Sequence, residues 1–322
     1  MERRQFLSTA AGLSASTLLL PVAAGAQAKY PSKPVTLLVP FAAGGAGDAL
    51  TRMMADYVRN KRGVAAAVEY KPGAGATLAP GQVARAEPDG STLGLYSISP
   101  FVVVPHLQKL PYDPLKDFTY IGIYAYIPIA FYVKADNPLK DWAGVLQQAR
   151  DNPGKFRWGT SGVRGAAHIA VEAAFRKEGL KTTFVPFTGG AEAITALLGN
   201  HIEAVISADY GPQLSAGTVR LLALTGSEKL ASQPPLPTFK ELGYPLSTEA
   251  IYGIFGPAKL PKEIVTYWEG AIRDMMKTEE FVIGLKTINA SPVYMDSTQF
   301  TANVAENYRK IGEAIDALGL KK

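Results

Sequence analysis

Pro40-Phe41-Ala42-Ala43-Gly44-Gly45-Ala46-Gly47-Asp48 follows an apolar run, Val35 to Val39, and leads into a helical pattern from Ala49 to Arg62. Small residues there let backbone N–H groups approach a ligand, and a helix N-terminus adds partial positive charge, so the segment is built to hold an anion. It has neither the Gly-Lys-Ser/Thr ending of a phosphate loop nor a complete GxGxxG, and a carboxylate needs fewer donors than a phosphate. The plain alternative is a tight strand-to-helix turn of any α/β protein. The other reactive residue types offer less. His106, His168 and His201 are the only histidines, and none stands in a motif with a nucleophile. Gly159-Thr160-Ser161-Gly162 has its glycines at the wrong spacing for a GxSxG elbow. His168 with Glu172 four residues on lacks a third metal ligand, and a structural hydrogen bond accounts for it better. The chain has no cysteine, which removes thiol catalysis and thiolate metal sites. No metal and no cofactor are expected.

The elements that must position these loops follow a strand-helix rhythm. Ala66-Ala67-Val68-Glu69-Tyr70 reads as a strand, Pro72-Gly73-Ala74-Gly75-Ala76 as a second small-residue loop entering a helix from Thr77 to Ala86, and Thr92 to Tyr96 as a third strand. Strands alternating with helices imply a parallel sheet covered on both faces, with ligands gathering at the carboxyl ends of its strands. Phe118 to Val133 is a long apolar run containing Gly122 and Pro128, too broken for one helix, and suits an extended segment crossing between domains. A second set follows. The strand Phe156 to Gly159 leads into Thr160-Ser161-Gly162-Val163-Arg164-Gly165 and a helix from Ala166 to Lys177; Phe184 to Phe187 leads into Thr188-Gly189-Gly190 and a helix through Leu198. Ala204 to Ser207 and Leu221 to Thr225 read as strands, Ile251 to Phe255 as the return crossing, and Phe300 to Leu318 as a closing amphipathic helix. Two crossings imply two α/β domains, residues 29–124 with 251–322 and residues 125–250, with a ligand-closing cleft between them.

The N-terminus indicates where the protein works. Arg3-Arg4-Gln5-Phe6-Leu7 precedes a moderately apolar stretch to Leu20, then Pro21 and Ala24-Gly25-Ala26-Gln27-Ala28. This is the pattern of a cleavable export signal, with cleavage expected after Ala28 and a soluble periplasmic product. The paired arginines resemble the twin-arginine class, while the ordinary secretory route also tolerates them. With 47% hydrophobic residues, the chain can bury a large core without disulfides. Its net charge of +5 is spread without Lys/Arg runs, which argues against nucleic acid as a partner and mildly favours anionic ligands.

Six motifs in order then resemble one family. They are Tyr30-Pro31-Ser32-Lys33-Pro34-Val35, the Val39-Pro40-Phe41…Gly44-Gly45…Asp48 loop, Lys71-Pro72-Gly73-Ala74-Gly75, Leu110 to Phe118, Gly159-Thr160-Ser161-Gly162…His168 and Val185-Pro186-Phe187…Gly189. Together they look like the extracytoplasmic solute receptors of tripartite tricarboxylate transporters, the Bug receptor family. The resemblance implies a type II periplasmic binding fold with two Rossmann-like domains, which closes as a monomer on a small organic carboxylate and passes it to membrane permease subunits. It also implies that two loops hold one carboxylate through main-chain amides, hydroxyls and water. By position these are Phe41, Ala43, Gly44, Gly45 and Asp48 in the first loop, Thr160, Ser161, Gly162 and Val163 in the second, and Ser97 after the third strand. A receptor presenting its liganded form to a membrane sensor kinase uses the same fold, and a periplasmic enzyme acting on a carboxylic acid is the more distant alternative.

Departures from the family pattern concern the ligand. Ala42, Ala43 and Gly47 soften the first loop, and Ile251 replaces a common Trp before Tyr252. Arg164 stands where a small residue is usual; it is either a solvated loop arginine or the partner of a distal anionic group. Asp48 is expected to cap the helix that starts at Ala49 rather than touch a carboxylate. Ser207 or Asp209 faces the cleft, and if Asp209 does, the ligand could carry an amino group. Trp158, Phe187 and Tyr252, with Phe41, either line the cleft for an aromatic acid or belong to the core.

Overall fold

The computed structural model describes residues 30–226, 236–246 and 248–320; the expected export signal lies outside them. Among the described residues no helix is long and apolar enough to cross a membrane. In chain order the elements are β1 (Val35–Val39), α1 (Ala46–Arg62), β2 (Ala66–Tyr70), α2 (Leu78–Val83), β3 (Thr92–Tyr96), α3 (Val104–Leu107), β4 (Phe118–Ile127) and β5 (Ala130–Lys134). There follow α4 (Trp142–Asp151), β6 (Arg157–Ser161), α5 (Ala166–Lys177), β7 (Thr183–Phe187), α6 (Gly190–Leu198), β8 (Ala204–Ser207), α7 (Gly211–Ser215) and β9 (Val219–Leu224). The chain closes with β10 (Ala250–Pro257), α8 (Lys262–Met275), α9 (Glu279–Thr287), β11 (Ser291–Met295) and α10 (Ser297–Ala317).

Local chemistry explains the boundaries. Helix α1 has Asp48 in its first turn and Arg59, Lys61 and Arg62 in its last, matching its dipole, and it stops at Gly63 in the left-handed conformation. Helix α10 opens on a capping box in which the Asp296 carboxylate accepts from Gln299 N (2.9 Å) and the Gln299 side chain accepts from Asp296 N (3.2 Å). Helix α2 is shorter than the expected span to Ala86. Pro80 and Gly81 lie inside it, and its end tightens into turns in which Arg85 N donates to Gln82 O and Ala86 N to Val83 O.

Two sheets form, in the orders β2-β1-β3-β10-β4-β11 and β7-β6-β8-β5-β9. In the first, β2, β1 and β3 are parallel while β10 runs antiparallel to both β3 and β4; in the second, β7, β6 and β8 are parallel while β5 runs antiparallel to both β8 and β9. Each sheet thus inserts one reversed strand between its third and fourth parallel strands, the order of a type II periplasmic binding fold. The strands of the strand-helix units pair in parallel as the rhythm implies, and the reversed strand is added to them. The reversed strand is in each case the one by which the chain arrives from the other sheet, so it enters in the opposite direction.

The apolar run from Phe118 to Val133 is two strands in different sheets with only Pro128 and Ile129 between them. Strand β4 stays in the first sheet as far as Ile127, beyond the expected changeover after residue 124. Ile251 to Phe255, expected as the return crossing, lies wholly within β10, whose pairing in the first sheet begins at Ala250. The two crossings are sewn together: Thr225 N donates to Ile129 O (2.8 Å) and Thr248 N to Thr225 O (2.9 Å). Both threonines are buried.

Candidate ligand-binding site

The carboxyl ends of β1, β3, β6 and β8 turn into loops that meet between the two sheets. They enclose a narrow cavity of about 60 Å³ lined by Phe41, Gly45, Gly47, Ser97, Ser99, Thr160, Ser161, Gly165, Ala166, Gly190, Ser207, Asp209 and Tyr252, among others. Three helices begin at this cavity. Their N-caps, Gly45 for α1, Gly165 for α5 and Gly189 for α6, are all extended glycines without a side-chain cap. A glycine cap leaves first-turn N–H groups for something else to satisfy. Each terminus favours an anion by about 0.3–1 kcal/mol, rising to ~2 kcal/mol where it is partly buried.

Two hydrogen bonds tie the loops across the cleft, and they are reciprocal. Ala46 N at the start of α1 donates to Asp209 Oδ1 beyond β8 (2.7 Å). Ala166 N at the start of α5 donates to Ser99 Oγ beyond β3 (2.9 Å). Asp209 N in turn donates to Ser207 Oγ (3.0 Å), which also bonds Tyr132 Oη (2.9 Å). Burial pushes the Asp209 carboxyl above the usual carboxylate range, opposed by the Ala46 N–H and the Ser207 hydroxyl. Burial likewise raises the Tyr252 phenol, with the Asp209 charge adding to it. The Ser97 hydroxyl is buried at the same cavity with no partner among the described residues.

A wider cavity of about 550 Å³ shares the Phe41 and Ser161 walls and is lined by Gly73 to Ala76, Gly162, Val163, Arg164 and Phe187. A third, of about 470 Å³, shares Gly45, Ala208 and Asp209 and includes Gly44 and Ala191. The expected residues therefore divide. Phe41, Gly45, Ser97, Thr160, Ser161, Ser207, Asp209 and Tyr252 meet at the inner cavity. Gly162, Val163, Arg164 and Phe187 line the wider one, and Gly44 the third. Ala43, Asp48 and Trp158 line none of the three.

Asp48 has a different job from the expected cap. The helix starts at Ala46, so Asp48 sits inside its first turn and reaches back: Oδ2 accepts from Gly44 N (2.8 Å), and Oδ1 accepts from Tyr70 Oη (2.7 Å) and Arg52 Nε (2.7 Å). It fastens the loop softened by Ala42 and Ala43 to the end of β2. Trp158 is a core residue, 1% exposed, with Nε1 donating to Thr182 Oγ1 (2.9 Å). Ala43 is exposed because it stands at the turn between β1 and α1.

Arg164 occupies the left-handed region at φ 59°, and its N–H donates to His168 Nδ1 (2.8 Å). His168 stacks on Phe184 with ring centroids 3.7 Å apart, and its Nε2 lies 3.4 Å from Glu172. That contact, with help from Arg176, holds the Glu172 carboxyl below its ordinary range. The His168–Glu172 pair thus supports the second loop, and among the described residues no group of three His, Asp or Glu could hold a metal. The Arg164 guanidinium makes no ion pair among the described residues.

Ser99 and Gly190 were not foreseen as cleft residues. Ser99 repeats Ser97 two positions on, and Gly190 opens the helix of a strand-glycine-helix unit like the first, so both carried a usable signal.

Comparison with known proteins agrees with this geometry. Residues 50–320 match the tripartite tricarboxylate transporter family receptor. The UPF0065 protein in the gbd 5′ region of Cupriavidus necator is 33% identical over 327 aligned positions, covering 100% of this chain and 99% of that one. The solved periplasmic binding protein BugD superposes with a TM-score of 0.83 at 28% identity, over 91% of this chain and all of its own. MatC from Rhodopseudomonas palustris, solved with bound malate, gives 0.81 at 25% identity, over 89% of this chain and 100% of its own. With the type II strand order and the glycine-capped cleft already in place, this chain belongs to the tripartite tricarboxylate transporter family of receptors, the periplasmic solute-binding proteins of the Bug type.

Proposed function

We propose that the protein captures a small organic carboxylate in the periplasm between two domains built on the two sheets, and delivers it to the membrane permease subunits of a tripartite transporter. One observation carries the reading: three glycine-capped helix N-termini open on a single cavity that also holds the unpartnered Ser97 hydroxyl. Such termini bind anions through N–H groups and dipole together, without a lysine or arginine at the carboxylate. The malate in MatC, a receptor of the same fold, is a ligand of this chemistry. Pro128-Ile129 and the Thr225–Thr248 contact form the hinge about which the two domains close. The protein binds its ligand and releases it unchanged.

Calorimetry with small di- and tricarboxylic, amino and aromatic acids is expected to find binders near micromolar Kd, about −8 kcal/mol. Their methyl esters and amides are expected to fail. Equal binding of the neutral analogues would overturn the carboxylate reading.

Arg164, at the wider cavity and without an ion-pair partner among the described residues, receives a second anionic group. Arg164→Ala is expected to weaken a dianionic ligand by about 1.5–3 kcal/mol, the range of a charge-assisted hydrogen bond, and to leave a monocarboxylate nearly unchanged. Unaltered binding of both would assign it to the solvated surface.

A further inference from the structure

The inner cavity is lined by hydroxyls, backbone and apolar groups, with one carboxylate and no Lys, Arg or His. That carboxylate is Asp209. Its Oδ1 takes the Ala46 N–H at 2.7 Å, and among the described residues it has no cationic partner. Its place is made by two absent side chains. A Cβ on Gly45 would stand 2.7 Å from Asp209 Oδ1, and one on Gly190 would stand 2.6 Å from Asp209 Cβ and closer still to the carboxyl. The sequence thus keeps glycine at the starts of α1 and α6, and the space this leaves holds an anionic side chain.

A plain carboxylate entering beside Asp209 meets a like charge, which disfavours both ionised forms. A ligand that also carries an ammonium removes the conflict. An ammonium offers three donors and no acceptor. The cavity offers the Asp209 carboxylate, the Ser97 hydroxyl, buried and without a partner among the described residues, and Tyr252 in its wall. The ligand carboxylate is left for the start of α5, away from Asp209, where Gly165, Ala166 and Ala167 line the same space and the Ala166 N–H already serves Ser99 Oγ.

We propose that Asp209 determines specificity by selecting a ligand with an ammonium group next to its carboxylate, an amino acid in preference to the corresponding deamino acid. This rests on the carboxylate reading above and narrows it. Calorimetry at neutral pH with the matched pairs L-glutamate and glutarate, L-aspartate and succinate, and L-alanine and propionate tests it. The ammonium-bearing member of the bound pair is expected to bind about tenfold tighter or more, the factor one charge-assisted hydrogen bond supplies. Asp209→Asn, which keeps the shape, is expected to narrow that difference to about threefold or less. A deamino acid that binds as well as its amino partner on the unaltered protein overturns the proposal, and so does a preference that survives Asp209→Asn. If Asp209→Asn does not fold, Ser97→Ala takes its place and is expected to weaken the amino acid more than its partner; equal weakening overturns the proposal. Failure of all six acids while a tricarboxylic or aromatic acid binds overturns the proposal and leaves the carboxylate reading standing; failure of the whole acid panel refutes the carboxylate reading itself.

Discussion

Gly190→Ala is expected to weaken ligand binding by about ten- to 150-fold and to lower the melting temperature without unfolding the protein. The affinity term is the ~1.5–3 kcal/mol of one charge-assisted hydrogen bond, and a side chain forced into a packed site separately costs about 1–3 kcal/mol of stability. A methyl group there overlaps the Asp209 carboxyl, which must swing away from Ala46 N and release one of the two reciprocal bonds across the cleft. The substitution does not unfold α6, because alanine is a better helix former than glycine by up to ~1 kcal/mol. Calorimetry and thermal melting together separate the two effects. Wild-type affinity in Gly190→Ala would show that Asp209 need not sit against α6 for the cleft to close.

Trp158→Ala is the variant with the largest expected effect on stability, about 3–5 kcal/mol as for other large-to-small core changes. Its indole lies edge-on or tilted against Phe175, Phe184 and His168, with centroids 5.8, 5.0 and 5.6 Å away. Phe184 in turn stacks on His168, which holds the Arg164 backbone. The loss therefore also loosens the second loop. Denaturant unfolding reads the stability term. A loss below ~1 kcal/mol, an effect too small for a buried indole, accompanied by a large fall in affinity, would move Trp158 from the core to the cleft wall.

Much of the fold was legible in the sequence because its signals are local. The runs at Val35–Val39 and Thr92–Tyr96, buried almost throughout, and the alternating Ala66–Tyr70 coincide with strands, since a short apolar or alternating stretch between bounding turns decides a strand over five residues. The glycine loops fall at strand ends for the same reason. Two things were misread. The return crossing was placed inside β10, whose buried residues look the same whether a strand crosses or pairs. The direction of β5 and β10 was missed, because antiparallel insertion depends on which sheet the chain comes from.

By itself the sequence determined the strand-glycine-helix units, the absence of thiol chemistry and the motif order of the family. The tertiary structure alone decided which loop residues meet. Ser97, Asp209 and Gly190 lie far apart in the chain, and the closed loops bring them to one cavity. Asp48 and Asp209 are the clearest case: each follows small residues near the end of a strand, yet one turns back to fasten its own loop and the other reaches across to α1. A carboxylate's role is set by the donors within hydrogen-bond distance, and for Asp209 that donor stands 163 residues away in the chain.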